Sequence, residues 1–227
     1  MIEVKIIEPR YEWLDGRKPN GAVILAIITK AGRVAYQSER EGGSAEFVRS
    51  LIKRGHESVL EHAKVSVVVT CDRGITHEVV RHRVASYTQE STRYCNYTGE
   101  RFGGEIQFID LGGGIALDKK MQNLTLATVK AILTEWVDAC MDAERHYNRM
   151  IEMGATPQIA RSVLNNSLKT QIVITMNMRE WRHFFKLRSA SNAHPQMREV
   201  AEMLLEAFKE AIPVIFDDIN PEVANDV

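Results

Sequence analysis

Cysteine is scarce in this chain: Cys71, Cys95 and Cys140 are three among 227 residues. An odd number at wide spacings fits neither a disulfide framework nor a zinc site. Sequons such as Asn96-Tyr97-Thr98 are then chance matches, because a cytoplasmic chain is not glycosylated there. Excess charge is missing as well. The formal net charge is -1, so no basic field of the kind nonspecific nucleic-acid binding needs is spread over the surface, and an anionic ligand must be met by a local cluster. No segment reaches about 18 apolar residues. Met1 to Arg10 carries alternating charges in place of a basic stretch followed by an apolar run. These absences predict a soluble, cytoplasmic protein with neither membrane nor nucleic acid as partner. There is no repeat, low-complexity tract or linker, so residues 1–227 are expected to form a single domain. With 44% apolar and 26% charged side chains, the chain can bury a sizeable core.

What is present reads as strands scattered among helices. Residues 2–7 suggest a short strand. Ala22 to Tyr36 is an apolar-rich run that suits a helix or a buried strand, and is read here as a helix. Ser44 is expected to cap a helix carrying Phe47, Val48, Leu51 and Ile52 and ending near Gly55. Val65 to Thr70 is short and β-branched, as strands are. Ile75, Val79 and Val80 mark a helix running into Arg81-His82-Arg83, and 86–98 leaves it as a loop or extended segment. Ile106 to Ile109 reads as a strand. Met121, Leu124, Thr128, Ile132, Trp136, Ala139, Ala143, Tyr147 and Met150 then predict a long amphipathic helix. Pro157 suits the first turn of another helix, ending by Asn165-Asn166. Ile172 to Met176 follows as a strand, Arg179 to Ser189 as a helix, and Pro195 to Ile212 as a final amphipathic helix. Without regular strand–helix alternation the expected class is α+β, a mixed β-sheet packed with several helices.

Several motifs are decoys. Gly112 and Gly114 follow a strand, but Leu117 stands where a dinucleotide-binding fingerprint needs its third glycine, so a flexible loop is the better reading. His77-Glu78 and His82 imitate a metalloprotease helix, yet histidines five apart do not share a helix face. His56 and His62 lack a matching ligand pattern elsewhere, and no metal is expected. Cys95 has no evident partner base, which argues against a thiol mechanism.

The unusual segment is Arg81 to Tyr94, where three arginines, a histidine and four serine or threonine hydroxyls offer many donors to phosphates. On a continuing helix, His82 and Arg83 would share the apolar side of Ile75 and Val79, and a cation directed inward needs a partner. Arg188 repeats the anomaly by extending the stripe Trp181, Phe184, Phe185. A buried guanidinium is expensive unless paired or facing an anion. The alternative is an arginine at a fraying helix end reaching out to water, and the pattern leaves both open.

Arg81-His82-Arg83 followed after seven residues by Ser91, with Ser91-Thr92-Arg93-Tyr94 continuing, resembles the signature of the flavin-dependent thymidylate synthases. Gly55-His56-Glu57-Ser58 with Glu61-His62 is similar to the family's upstream segment. Ala160-Arg161 with Leu164, Asn177-x-Arg179-x-x-x-His183 and Leu187-Arg188 follow in the expected order, so the resemblance spans most of residues 1–215.

That resemblance implies reductive methylation of dUMP to dTMP, with 5,10-methylenetetrahydrofolate as carbon donor and FADH2, reduced by NADPH, as hydride donor. It implies FAD held by Ser58, Arg81, His82, Arg83, Gln89, Asn177, Arg179 and His183 in sites shared within a homotetramer. The nucleotide would meet Arg81, Gln89, Ser91, Arg93 and Arg161, with Glu78, Glu90 and Thr92 beside them. His56 would contact the folate. Arg188 would activate the pyrimidine electrostatically, with no cysteine nucleophile and Ser91 binding rather than attacking. This chain departs from the pattern at Thr88-Gln89, where many relatives have Asn-Glu, and at Glu78, where glutamine is common. An acid at Glu78 is expected to pair with an arginine and weaken nucleotide binding. Rival readings are a flavin- or nucleotide-binding module without turnover, and a nucleic-acid binder gripping a backbone with Arg81 to Arg93.

Overall fold

The computed structural model describes residues 4–36, 43–99 and 104–221. Its centre is an antiparallel sheet built on two long strands, β3 (Lys64–Asp72) and β6 (Lys169–Asn177). They pair along their whole length, from Lys64 opposite Asn177 to Asp72 opposite Lys169. Alternation decides which side of each strand is buried. Val65, Val67, Val69 and Cys71 of β3 and Ile172, Ile174 and Met176 of β6 turn into the core. The edges are β2 (Arg10–Trp13) on β3 and β4 (Ala85–Gln89) on β6. A separate parallel pair joins β1 (Lys5–Ile7) to β5 (Gln107–Ile109). The α+β expectation holds. The 2–7 strand is realised as β1, with residues 1–3 outside the described residues.

Helices cover the sheet. α1 (Gly21–Tyr36) settles the ambiguous apolar run as helix. α2 (Ser44–Lys53) begins at Ser44, but its cap is Gly43, and no side chain makes the capping bond the sequence suggested for Ser44. α3 (Arg73–Val79) is capped by Asp72, whose carboxylate accepts the Ile75 N–H at 2.9 Å. α4 (Gly112–Leu117) precedes α5 (Leu126–Glu152), which is 27 residues and roughly 40 Å long. Thr125 caps α5, so Met121 and Leu124 of the expected stripe lie before the helix. Cys140, Ala143 and Tyr147 of α5 are buried in a second small core with Phe108 and Leu168. α6 (Pro157–Ala160) is shorter than expected, passing at Arg161–Val163 into a 3-10 turn. α7 (Met178–Arg188) and α8 (Pro195–Ala211) close the main core, where the Trp181 and Phe208 rings lie 4.7 Å apart. α9 (Pro213–Phe216) ends the packed region.

The glycine triplet is a packing device rather than a flexible loop. A Cβ on Gly113 would stand 1.9 Å from Glu199 Oε1, so α4 packs closely onto the Glu199 side chain of α8, which would have to shift for any larger residue. Burial there, with the negative charges of Asp110, Asp72 and Glu8, pushes the Glu199 carboxyl up to about 7. Between its ordinary value of 4.5 and 7, the folded state therefore binds more protons at Glu199 than the unfolded one. Stability falls as pH rises through that window, by about 1–2 kcal/mol after discounting for partial solvation. Glu199→Gln is expected to raise the denaturation midpoint near pH 8 and leave it unchanged near pH 4. Equal shifts at both would contradict this account.

Candidate active site

α3 stops before the Arg-His-Arg motif instead of running through it, and three consecutive side chains then take different paths. Arg81 and Arg83 are exposed, whereas His82 turns inward and is 3% exposed. The expectation that Arg83 shares the apolar side of this helix fails because the helix ends at Val79. The Tyr87 hydroxyl pins the turn, placed 2.8 Å from the Val79 carbonyl and 2.7 Å from that of His82.

The buried imidazole meets α7. His82 Nδ1 lies 2.9 Å from Glu180 Oε1, and Arg188 donates from Nε to His82 Nε2 at 3.2 Å. A guanidinium can only donate, so Nε2 accepts and Nδ1 carries the proton toward Glu180. Burial, helped by Arg188 and His183, holds the imidazole below its ordinary value against the pull of Glu180. Arg188 is a partly buried cation with a partner: it donates to Glu78 Oε2 at 2.7 Å and to the Glu78 carbonyl at 3.2 Å. Glu78 does pair with an arginine, but with Arg188, and its other oxygen lies 3.3 Å from His194 Nδ1. His82, Glu180 and His183 bring three potential metal-ligand atoms within 4.8 Å of one another. The proton on His82 Nδ1 and the nearby Arg188 oppose a cation there.

A second group gathers at the far end of β4. The Gln89 amide donates to Thr76 and Thr170 hydroxyls at 3.2 and 3.3 Å. Glu90 accepts from Lys169 at 2.8 Å and from the Tyr97 hydroxyl at 3.0 Å. Arg161 donates to the Thr92 hydroxyl at 2.9 Å, which joins two expected nucleotide residues that lie far apart in sequence. Ser91 accepts the Arg93 N–H at 3.3 Å, and the Arg93 guanidinium lies over the Tyr94 ring. No hydrogen bond or ion pair among the described residues engages the side chains of Arg81 or Arg83.

A cavity of about 480 Å³ opens beside α7, lined by Asn177, Arg179 and His183 from the expected flavin set, with Arg182, Lys186 and Val84. Asn177 caps α7 by accepting the Glu180 N–H at 2.8 Å. Arg179 pairs with Glu61 at 2.6 Å. Ser58 and His56 are exposed on the neighbouring turn. Within one chain, then, Asn177, Arg179 and His183 converge on this cavity. Gln89, Glu90, Thr92 and Arg161 form a separate group, while Arg188 with Glu78 and His82 form a third that adjoins the cavity through Glu180 and His183.

Sequence reasoning missed Arg182, Glu180 and His194. Arg182 is 2% exposed and holds Glu57, Asp218 and the Ile215 carbonyl. A signal existed: Met178, Arg182 and Phe185 follow at i, i+4 and i+7, so Arg182 borders the apolar stripe. Glu180 and His194 gave none, because their partners come from other elements.

A family model described as thymidylate synthase complementing protein matches residues 24–214. A flavin-dependent thymidylate synthase from Geobacter sulfurreducens is 34% identical over 208 residues, 89% of this chain and 83% of the relative. Another, from Mycobacterium avium, is 32% identical over 203 residues, covering 85% and 78%. The chain belongs to the flavin-dependent thymidylate synthase family, a family of methyltransferases. The fold is likewise that of two solved structures of the UMP/dUMP methylase PolB from Streptomyces cacaoi. One, bound with 5-Br UMP, has a TM-score of 0.76, 22% identity and coverage of 95% of both chains. The other, bound with 5-Br dUMP, has a TM-score of 0.77, 23% identity and coverage of 94% and 96%. No helix among the described residues is long and apolar enough to cross a membrane.

Proposed function

We propose that the chain methylates dUMP to dTMP, taking a one-carbon unit from 5,10-methylenetetrahydrofolate and a hydride from FADH2 that NADPH has reduced. The observation that carries this reading is Arg188: a partly buried guanidinium with three N–H donors fixed by His82 and Glu78, and others unspent. Such a preorganised cation can stabilise a pyrimidine ring as its imide ionises, which raises electron density at the carbon to be methylated. No thiol is needed for that activation. Burial pushes the thiols of Cys71, Cys95 and Cys140 up, away from the thiolate form.

The donor chemistry of the cavity suits a flavin. Amide, imidazole and guanidinium groups from Asn177, His183 and Arg179 line it, with Val84 as an apolar wall, and the carboxylates of Glu57, Glu61 and Glu180 that share the lining are paired with Arg182, Arg179 and His82. When bound, the flavin would supply the hydride that reduces the transferred carbon to a methyl group, leaving tetrahydrofolate. Arg81 and Arg83, exposed and without an acid partner among the described residues, are available to an anionic cofactor. Arg93 and Arg161 would clamp the nucleotide phosphate with the hydroxyls of Ser91 and Thr92. Since these groups do not share one cavity within a chain, we assign completion of the site to neighbouring copies in a homotetramer.

Methylation replaces the hydrogen on the pyrimidine carbon, so turnover must release it. The purified protein is expected to be yellow and to release tritium from ring-labelled dUMP when NADPH and methylenetetrahydrofolate are present. A yellow protein that releases none would be a binding module without turnover. A colourless one with steeply salt-dependent oligonucleotide binding would be a nucleic-acid binder.

A further inference from the structure

His82 lies between two exposed arginines, yet it has no polar ring atom to offer a ligand. Nδ1 is committed to Glu180 at 2.9 Å and Nε2 to Arg188 at 3.2 Å. The His82 carbonyl is engaged by Tyr87 at 2.7 Å, and the ring packs edge-on against Phe184 with centroids 5.1 Å apart. Every polar atom that fixes the ring therefore also fixes the direction from which Arg188 is received.

We propose that His82 is a positioning residue for Arg188: Glu180 sets its tautomer, so that an unprotonated Nε2 accepts the Arg188 Nε–H and aims the guanidinium. This rests on the ring-activating role of Arg188 argued above. Arg188 is then held from two sides, by a neutral acceptor at Nε and by the Glu78 carboxylate at its terminal nitrogens. A carboxylate at both places would cancel the positive field that activation needs. Imidazole holds the arm without neutralising it.

The arrangement has a pH signature. A second proton on His82 would set N–H against N–H at Arg188 and break the contact, so turnover falls on the acid side as His82 titrates. The titratable groups facing this node are Glu180, His183 and Arg188 from α7, Tyr87 from β4, and Glu78 from α3 with His194 behind it. Glu180 is the neighbour that favours the charged imidazole most strongly. Removing its charge lowers the pH at which His82 gains a proton, and the acid limb of the rate profile moves down with it.

The full-length protein, loaded with flavin, tests this in three substitutions. His82→Phe keeps the ring packing and removes both nitrogens, and His82→Gln restores an acceptor. In His82→Phe, kcat for tritium release is expected to fall about 30- to 100-fold, with KM for dUMP within about threefold and flavin content unchanged. His82→Gln should recover at least about fivefold of that loss. Glu180→Gln should shift the acid limb of kcat down by about one pH unit. Independently of activity, the 15N-resolved Arg188 Nε–H resonance, identified by its loss in Arg188→Ala, should move in His82→Phe. Wild-type kcat in His82→Phe, loss of flavin from both His82 variants, or an acid limb in Glu180→Gln that stays or rises would overturn the proposal. Should His82→Phe not fold, the Glu180→Gln profile decides alone. If Arg188→Ala turns over normally while the resonance still moves, the role given to Arg188 fails and the contact stands.

Discussion

Arg188→Ala is expected to abolish methyl transfer while the flavin stays bound. Arg188 does not line the cavity assigned to the flavin, whereas Asn177, Arg179 and His183 do. Its contacts are with His82 and Glu78. Loss of one preorganised donor at a developing anion lowers kcat about 100- to 1000-fold, and loss of a full charge should cost at least as much. The substitution also leaves Glu78 without the cation that balances it, which acts in the same direction if the pyrimidine binds at Arg188 as proposed. Glu78 is partly exposed, so water can solvate the orphaned carboxylate and the fold should survive. Tritium release per bound flavin is the measurement. Near-normal turnover would remove the mechanism. Arg188→Lys, which keeps the charge and loses the fork, should fall between the two.

Arg182→Met is expected to destabilise the fold by about 3 kcal/mol, the largest stability effect we anticipate from one side chain. Arg182 is buried on α7 and spans three elements. It donates to both oxygens of Asp218 at 2.6 and 2.7 Å, to Glu57 at 3.3 Å, and to the Ile215 carbonyl. Methionine preserves much of the buried stem, so the loss reports the charge network rather than packing. Asp218 and Glu57 keep some access to solvent, which holds the cost toward the lower end for a broken buried pair. The hydrogen bond from Arg182 lowers the Asp218 carboxyl below its ordinary value of 3.8. That stabilisation is present above the ordinary value and is lost as pH falls through the folded one. The variant should therefore show a smaller loss of stability on acidification than the wild type. Equal denaturation midpoints for the two proteins near pH 7 would show that the network contributes nothing.

The legible parts of this protein were those governed by local pattern. The short β-branched run from Val65 to Thr70 announced β3, and the run from Ile172 to Met176 announced β6. Trp181, Phe184 and Phe185 marked the buried side of α7. For Arg188 on that same stripe the pattern left a paired cation and an arginine reaching out to water both open, and the structure pairs it with Glu78. The misplacements also have local causes. α3 ends at Val79, where the Tyr87 hydroxyl lies within hydrogen-bond distance of the Val79 and His82 carbonyls, so extending its periodicity to Arg83 placed that arginine on the wrong side. The glycine triplet looked like a loop because the side chains that press on it, Glu199 and Gln196, come from α8.

Sequence by itself pointed to the membership, through several separated motifs that agree in order and spacing, and it determined the strands and helices whose buried sides repeat at a fixed period. Tertiary structure decided the electrostatics: that Glu78 pairs with Arg188, that Glu180 meets His82 Nδ1, and that Arg182 ties the C-terminal segment to α7. The reason is range. Periodicity reports which way a side chain faces within its own element. An ion pair forms only where the sheet has carried two distant elements within hydrogen-bonding distance, as β4 and β6 do for α3 and α7.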